Sequence, residues 1–313
     1  MPQQSLGEHT SAQPSVASRL PYIILLVIGL IAGFLTMIVV LFGNMVMNAA
    51  GTALGFAFAS AYLLVGLWLF SRLRLLPDHS SPWLPLALLW GAGTGMAIVQ
   101  ISGEAIVDLF EQLGLPIFSI SFAGAWPEEI GKSLGVLLIM LCFNSLNRPW
   151  HGLTVGSFVG LGFNVFEDLS YGAIGGLLDP VSDIQGSALM WLYRLIAGPA
   201  LHAVFTGIIG FGIGLALYQQ GKSTTWRWAV FLGYFAFGFA CHFFWNAAPD
   251  SIALSITIMV IVGVIAYGVY IYLIVRARRM RTAERPQQQW ELPAPPWAPP
   301  GNPWTAPQPP TLP

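Results

Sequence analysis

Charged side chains are scarce in this sequence. Asp, Glu, Lys and Arg make up 9% of its 313 residues, and the net charge is −1, whereas soluble domains carry about 25% charged residues. So few charges cannot cover the surface of a soluble globule, and the near-neutral balance gives no indication of a nucleic-acid partner. Because apolar residues make up 55% of the chain, it must use lipid as part of its solvent.

Cysteine is also scarce, and the commonest protease signatures are absent from the sequence. Cys142 and Cys241 lie in apolar runs that are predicted at opposite membrane faces, which argues against a disulfide. Cys241 precedes His242, but adjacent residues point to different faces of a helix, so this pair does not form a thiol–imidazole nucleophile. There is no His-Glu-x-x-His zinc motif and no Gly-x-Ser-x-Gly nucleophile motif.

Eight apolar segments predict an all-α fold, a polytopic transmembrane helix bundle. A helical span needs about 20 mostly apolar residues. The candidate spans are 21–48, 51–71, 83–101, 128–146, 152–175, 188–218, 228–248 and 252–275. Residues 102–127 are expected to include a re-entrant or interfacial piece. Pro199 is expected to kink the sixth span or to mark its start.

Basic residues indicate the orientation of the bundle, because Lys and Arg prefer the cytoplasmic side of a membrane. They precede the first span, separate spans two and three, four and five, and six and seven, and follow the eighth. These residues are Arg19, Arg72, Arg74, Arg148, Lys222, Arg227, Arg276, Arg278, Arg279 and Arg281. Both termini are therefore predicted in the cytoplasm, which requires an even number of spans.

The two ends of the chain differ in composition from the bundle at 21–282. Residues 1–20 form a polar N-terminal segment, and residues 283–313 are rich in proline, which predicts a disordered cytoplasmic tail. Within the bundle, Gly152, Gly156 and Gly160 repeat every four residues. Such a stripe of small residues predicts close packing against another helix.

Ionisable and amide side chains recur inside four of the predicted spans, where a charged residue costs about 2.5–3.5 kcal/mol on insertion scales. The sets are Glu128, Glu129 and Lys132 in span four, Phe163, Asn164, Glu167 and Asp168 in span five, His202 and Thr206 in span six, and His242 and Asn246 in span seven. Each set contains a pair four residues apart, so each span presents one polar face. Counting about 14–17 residues from the inner ends places all four sets roughly 21–26 Å above the cytoplasmic boundary. They therefore share one layer, in the outer third of the hydrocarbon.

This combination of side chains suits hydrolysis by acid–base chemistry. Two carboxylates that are desolvated together, such as Glu128 and Glu129, cannot comfortably both be charged, which favours one as a general base or acid. Lys132 could hold the other as an anion. The imidazole of His242 and the amide of Asn246 could donate hydrogen bonds to a developing oxyanion. Carboxylates together with imidazoles also suit zinc.

Each polar residue also has a structural interpretation. A single buried histidine is often a hydrogen-bond partner between helices, Thr206 can bond to a carbonyl of its own helix, and Asn164 can hold helices together. Asp168 is expected to face a loop or to support Glu167. The glutamate pair of span four could reflect an outer helix start that the helix dipole favours. The coincidence of four sets in one layer argues for a functional site instead.

From about Trp126 to Asn246 the sequence resembles the PrsW family of intramembrane proteases, which belongs to a wider group with the CAAX-prenyl endopeptidases and bacteriocin-processing proteins. The resemblance rests on Glu-Glu-x-x-Lys at 128–132, Phe-x-x-x-Glu at 163–167 and the histidines at 202 and 242. Each motif is short, but their order on successive spans is specific. The resemblance implies an intramembrane endopeptidase with its catalytic core at 126–246.

The resemblance also implies roles for the motif residues of spans four and seven. Glu128 would activate water for attack on the scissile carbonyl, and Glu129 and Lys132 would orient or tune it. His242 with Asn246 would form the oxyanion-stabilising pair.

The remaining motif residues leave metal dependence open. Glu167 stands where the prenyl endopeptidases carry a histidine, so the resemblance implies water activation or metal binding there, with Phe163 in support. His202 would contact the water, a metal or the substrate. Glu167, His202 and His242 are the expected ligands of a zinc ion. The same residues could form a metal-free acid–base site, and the metal-free glutamate mechanism is the one we favour from the sequence.

The expected partners are a lipid bilayer and a membrane protein or peptide substrate. The departure at Glu167 argues against CAAX substrates, and the resemblance implies an anti-sigma-factor-like substrate cut near the outer face of a bacterial cytoplasmic membrane. Two other functions stay open. A proton- or ion-coupled transporter would use the same ionisable residues, although the sequence shows no inverted repeat and the polar layer lies off the midplane. A non-catalytic scaffold would not need intact motifs.

Overall fold

The computed structural model describes residues 16–77, 81–247, 249 and 251–290. These residues form ten α-helices and one π-helical turn, and no strand occurs among them, which confirms the all-α prediction. The α-helices are α1 (Val16–Met47), α2 (Ala49–Leu73), α3 (Trp83–Leu89), α4 (Met96–Gln112), α5 (Pro116–Cys142), α6 (His151–Leu178), α7 (Asp183–Ala197), α8 (Leu201–Tyr218), α9 (Thr224–Trp245) and α10 (Ile252–Trp290). The π-helical turn, Trp90–Gly95, joins α3 to α4.

Six helical segments within the described residues are long and apolar enough to cross a membrane. They are Arg19–Met47, Ala49–Leu73, Trp83–Gln112, Asp183–Tyr218, Thr224–Trp245 and Ile252–Ala283. Helices α5 and α6, with 27 and 28 residues, are also long enough for a bilayer. They carry the glutamates and the lysine of the predicted polar layer, which lowers their hydropathy. The six segments confirm a polytopic helical bundle. The number of eight spans, which counts α5 and α6, stays a prediction, and so does the cytoplasmic location of both termini.

The helix of the fourth predicted span begins at Pro116, whereas the sequence suggested a start at residue 128. Pro127 lies inside α5, and the two glutamates that follow it lie in the middle of the helix. Proline is tolerated inside membrane helices because neighbouring groups satisfy the freed backbone carbonyl. The glutamate pair is therefore a mid-helix feature, and the helix-start interpretation of its charges was wrong. Residues 102–127, expected to be partly re-entrant, belong instead to the end of α4 and the first half of α5.

The sixth predicted span is two helices, α7 and α8, with a break at 198–200. Ala200 has a φ of 56°, in the left-handed region, and Pro199 precedes it. Side chains from other helices bind the freed backbone groups: Tyr62 Oη accepts from the backbone N–H of Ala200, and Tyr267 Oη donates to Pro199 O at 2.7 Å. The break places His202 in the first turn of α8.

Helix α6 lies at the centre of the bundle and packs closely on α8. The glycine stripe makes this contact, as predicted. A Cβ added to Gly152, Gly156 or Gly160 would lie 2.0–2.3 Å from a carbonyl oxygen of α8. The two backbones therefore touch directly, which fixes the side chains of α6 and α8 relative to each other.

The π-helical turn holds the part of α5 that carries Lys132. Trp90 is fully buried, and its Nε1 donates to Gly131 O at 2.9 Å. A Cβ added to Gly135 would lie 2.1 Å from the Trp90 ring, so only a glycine leaves room for the indole there. Such turns often lie next to functional sites.

The ends of the chain differ from the predicted segments in their boundaries. Helix α1 begins at Val16, inside the segment 1–20 that was predicted as polar, and the backbone of α10 continues to Trp290, past the predicted start of the proline-rich tail. Residues 1–15 and 291–313, where the rest of both predictions falls, lie outside the described residues.

Candidate functional site

The four polar sets predicted from the sequence meet in one buried cluster, formed by α5, α6, α8 and α9. The cluster contains Glu128, Glu129 and Lys132 from α5, Glu167 from α6, His202 from α8 and His242 from α9. Glu129 and Lys132 are fully buried, with 0% exposure. Charges so far from water must compensate one another through direct contacts.

The ammonium of Lys132 lies at the centre of the cluster. Its Nζ is 2.7 Å from Glu129 Oε1, 3.2 Å from Glu128 Oε2 and 3.0 Å from His202 Nδ1. An ammonium has three N–H donors, so all three are used. The ring of Phe163 adds a cation–π contact at 4.4 Å from Nζ. Phe163 thus contacts the cluster through Lys132, and its predicted supporting role stays a prediction.

These contacts determine which nitrogen of His202 carries the proton. Lys132 can only donate, so His202 Nδ1 accepts from it. The proton of the neutral ring then lies on Nε2, which is 3.0 Å from Glu167 Oε2 and donates to it. Glu167 therefore orients the His202 ring and leaves its Nδ1 lone pair directed toward the centre of the cluster.

Glu129 orients His242 in the same way. His242 Nδ1 lies 2.9 Å from Glu129 Oε1 and donates to that carboxylate. The lone pair of the neutral ring is then on Nε2, which lies 3.7 Å from Glu128 Oε2. Thr206 donates to the second oxygen, Glu129 Oε2, at 3.4 Å. The Thr206 hydroxyl thus serves the cluster and not a carbonyl of its own helix.

Arg194 on α7 completes the cluster, and sequence reasoning missed it. Its guanidinium forms ion pairs with Glu167 and with Asp168. Asp168, which was expected to face a loop or to support Glu167, is buried and accepts from Asn164 Nδ2 at 2.6 Å. Asn164 Oδ1 also accepts from the backbone N–H of His202 at 3.3 Å. An arginine inside a predicted apolar span was the signal that could have revealed this ion-pair network.

A cavity of about 740 Å³ opens beside the cluster. Glu128, Glu167, His202, His242 and Asn246 line it, whereas Glu129 and Lys132 lie behind its wall. Asn246 is the C-cap residue of α9 and lines the cavity. The structure thus brings all the predicted site residues to one place, and it separates those that can touch a bound molecule from those that support them.

The donor atoms are suited to a metal ion. Within the described residues, one ligand atom each from Glu128, Glu129, His202 and His242 lie within 4.8 Å of one another. This group differs from the expected set of Glu167, His202 and His242, since the Glu167 carboxylate contacts Arg194 and His202 instead. Two carboxylates with two imidazoles are a donor set that zinc accepts.

The balance of charge also suits a cation. The cluster holds four carboxylates, on Glu128, Glu129, Glu167 and Asp168, and two cationic side chains, on Lys132 and Arg194. If every carboxylate is ionised and both histidines are neutral, these side chains carry a net charge of −2, although each carboxylate contacts one of the two cations. Protons or a divalent cation would remove this excess, which would otherwise be costly inside a membrane.

Comparison with known proteins agrees with this geometry. The family model described as PrsW family intramembrane metalloprotease matches residues 79–275, which span from just before α3 into α10 and include the whole cluster. No curated protein and no solved structure matches the chain. The matched segment covers more than half of the sequence and extends beyond the motifs on which the resemblance rested. The chain therefore belongs to the PrsW family of intramembrane metalloproteases.

Proposed function

We propose that this intramembrane protease hydrolyses a peptide bond of a membrane protein in the cavity, with Glu128 as the general base that activates water. The position of the Glu128 carboxylate carries the proposal. Its Oε2 lies 3.2 Å from Lys132 Nζ, 3.6 Å from His202 Nδ1 and 3.7 Å from His242 Nε2, and the residue lines the cavity. A water molecule beside it would meet the Glu128 carboxylate and the Nε2 lone pair of His242, while the Nδ1 lone pair of His202 accepts from Lys132.

The proposed reaction uses Glu128 twice. The water oxygen attacks the scissile carbonyl carbon while one water proton passes to the Glu128 carboxylate. The C–N bond then breaks, the same proton passes to the leaving amine nitrogen, and the carboxylate is regenerated. The excess of negative charge in the cluster favours this proton transfer, because taking up a proton relieves repulsion among the carboxylates.

Glu129 and Lys132 act as positioning residues in this proposal. The Lys132 ammonium bridges the two glutamates, at 2.7 Å from Glu129 and 3.2 Å from Glu128, and therefore fixes the direction of the Glu128 carboxylate. Glu129 is sealed from the cavity and holds the His242 ring. Pre-organised charges of this kind need no rearrangement during the reaction.

Asn246 is the group that we assign to the developing oxyanion. The sequence suggested His242 and Asn246 together. In the neutral His242 ring, however, the one N–H already donates to Glu129, so this ring has no second proton to offer. The side-chain amide of Asn246 has two N–H groups and lines the cavity. It supports the proposal as a hydrogen-bond donor that lines the same cavity as Glu128.

The residues that would hold a zinc ion are Glu128, Glu129, His202 and His242. When bound, zinc supplies Lewis-acid polarisation and a more acidic water. The chain's own residues orient the two imidazoles, since Glu167 accepts from His202 and Glu129 accepts from His242. A zinc ion would compete with the Lys132 ammonium, which contacts Glu128, Glu129 and His202.

The walls of the cavity support a membrane-embedded substrate. Beyond the polar cluster they are formed by apolar side chains of α1, α4 and α5, among them Val40, Met47, Val99, Val107 and Ile120. An apolar segment of a membrane protein fits such walls, because its apolar side chains stay out of water when they lie against them. From the predicted topology we place the cut near the outer face of a bacterial cytoplasmic membrane, in a single-span substrate such as an anti-sigma-factor-like protein.

The test is cleavage of a library of single-span membrane peptides by the purified protein. Wild type, Glu128→Gln and His242→Ala are compared with Glu111→Gln, a matched control that neutralises an exposed glutamate at the end of α4. Glu128→Gln should lower kcat by about 10²–10⁴-fold, the usual contribution of a general base. Glu111→Gln should cleave like wild type. Equal cleavage by Glu128→Gln and wild type would contradict the proposal, and so would an absence of cleavage combined with Glu128-dependent proton flux in vesicles, as expected of a transporter.

A further inference from the structure

Gly124 lies on α5, one turn before Glu128, and faces the cavity. A Cβ added there would lie 2.9 Å from Asn246 Nδ2 and 3.6 Å from Glu128 Oε1. The space that a side chain would take at position 124 is thus the space between the two groups assigned to the base and to the oxyanion donor. Glycine is the one residue that leaves it open.

The side-chain amide of Asn246 lies next to Gly124 at the end of α9. The backbone N–H of Asn246 bonds to His242 O at 3.1 Å, which anchors the residue at the end of α9. Within the part of the chain that the structure describes, no group hydrogen-bonds to its side-chain amide. On the α5 side Gly124 forms the surface next to the amide, so a side chain at position 124 would occupy the place of the amide nitrogen.

We propose that Gly124 is a positioning residue, which lets the Asn246 amide approach the Glu128 carboxylate closely enough for both to act on one carbonyl group. The inference rests on the proposed function, because it takes its meaning from the roles of Glu128 and Asn246. Gly124 has no side chain that could take part in the reaction. It contributes because it leaves space where any other residue would place a Cβ atom.

The geometry separates catalysis from folding at this position. The atom nearest to the added Cβ is the far end of a flexible side chain, so a methyl group at 124 displaces the amide at little cost to the fold. At Gly156 the nearest atom is instead a backbone oxygen, Thr206 O at 2.3 Å. A methyl group there has to push two helices apart. Gly124→Ala should therefore lower activity while the protein stays folded.

The experiment compares Gly124→Ala with Gly233→Ala in the peptide cleavage assay. Gly233 is a glycine of α9 with nothing within 4 Å of an added Cβ, which makes it a matched control for the substitution itself. Gly124→Ala should lower kcat by about tenfold or more and change KM by less than about threefold, because an oxyanion donor acts mainly in the transition state. Gly233→Ala should match wild type in both constants, and both variants should keep the wild-type unfolding temperature.

A double-mutant cycle with Asn246→Ala tests the cause. If Gly124→Ala acts by displacing the amide, it should change kcat by less than about twofold once the amide is gone. Additive effects, wild-type kinetics of Gly124→Ala, or failure of Gly124→Ala to fold would each overturn the inference while leaving the protease intact. An inactive wild type would overturn the proposed function, and this inference with it.

Discussion

Glu128 and Glu129 are adjacent in the chain but lie in different surroundings. Successive residues of a helix point about 100° apart, so Glu128 faces the cavity while Glu129 points between α8 and α9. Glu128 has neighbours at 3.2–3.7 Å and access to a bound molecule. Glu129 is fully enclosed by Lys132, His242 and Thr206. Glu128 can therefore contact a bound substrate, whereas Glu129 can only position the side chains around it.

Neutralising each glutamate should separate these two roles. Glu129→Gln removes the anion that contacts Lys132 at 2.7 Å and His242 at 2.9 Å, and breaking a buried pair of this kind costs about 3–5 kcal/mol. We expect Glu129→Gln to lower both the unfolding temperature and kcat. Glu128→Gln should lower kcat and leave the unfolding temperature unchanged, because the three partners of Glu128 each keep another carboxylate. Lys132 and His242 still contact Glu129, and His202 still contacts Glu167. Thermal unfolding and peptide cleavage measure the two effects, and equal unfolding temperatures for the two variants would contradict this assignment.

Arg194 is expected to support the site through Glu167. Its two ion pairs, with Glu167 and Asp168, tie α7 to α6, and Glu167 orients the His202 ring. Arg194→Ala leaves the buried Asp168 and the partly buried Glu167 without their cation, so we expect a loss of about 3–5 kcal/mol in the free energy of unfolding. Arg194→Lys should recover only part of it, because an ammonium lacks the planar fork of a guanidinium. Arg72→Ala, at an exposed arginine, should be neutral, and a neutral Arg194→Ala would refute the role.

Among the helices, the α6–α8 contact has the least freedom to change. The glycine stripe brings two backbones into contact, and the residues of α8 on the same stretch include Thr206 and His202. The break before α8, held by Tyr62 and Tyr267, determines where α8 starts. The position of the His202 ring relative to Glu167 therefore depends on helix packing and not on local sequence alone.

A methyl group in this contact should damage both stability and activity. Gly156→Ala places a Cβ 2.3 Å from Thr206 O, and overpacking costs about 1–3 kcal/mol or more when backbone must move. We expect a lower unfolding temperature and a lower kcat, because α8 carries His202 and Thr206 away from their partners. Gly268→Ala, where nothing lies within 4 Å of an added Cβ, is the control. An unchanged unfolding temperature of Gly156→Ala would contradict the direct backbone contact between α6 and α8.

At the scale of the whole molecule, the bundle gathers most of its buried charge in one place and leaves it unbalanced. Four ionised carboxylates against two cationic side chains, each of which two carboxylates share, leave a net charge of −2 in the cluster. The surrounding helices have exposed apolar faces that belong in lipid. The charged side chains of the cluster are therefore held inside a membrane-embedded bundle and cannot reach bulk water. The excess must therefore be met by protons or by a bound cation.

A bound divalent cation should be measurable without an activity assay. We expect the purified protein to contain about one zinc ion per chain, and a ligand present at 100 times its Kd stabilises the fold by about 2.7 kcal/mol. Removal by a chelator should lower the unfolding temperature, and His242→Ala should abolish both the metal content and the chelator effect. Metal-free protein that unfolds at the same temperature with and without zinc would favour the glutamate mechanism that the sequence suggested.

Much of the fold and site was accessible from the sequence, because a membrane penalises polar residues so strongly that those present are informative. Hydropathy and length predicted the helices, and the i, i+4 spacing predicted which residues share a face. The beginning of α5 and the break before α8 were not accessible in this way. Whether a proline ends a helix depends on which neighbours satisfy the freed carbonyl, and those neighbours come from distant parts of the chain.

The sequence by itself determined that this protein lives in a membrane, that its polar motifs share one layer, and that it resembles the PrsW family, because each of these follows from residue type and spacing. Only the tertiary structure decided which side chains contact each other across helices. It placed Arg194 against Glu167 and Asp168, turned Glu129 from the cavity and set Gly124 against Asn246. The physical reason is that hydrogen bonds and steric contacts act over a few ångströms between helices, and a one-dimensional pattern carries no information on how two helices are rotated toward each other.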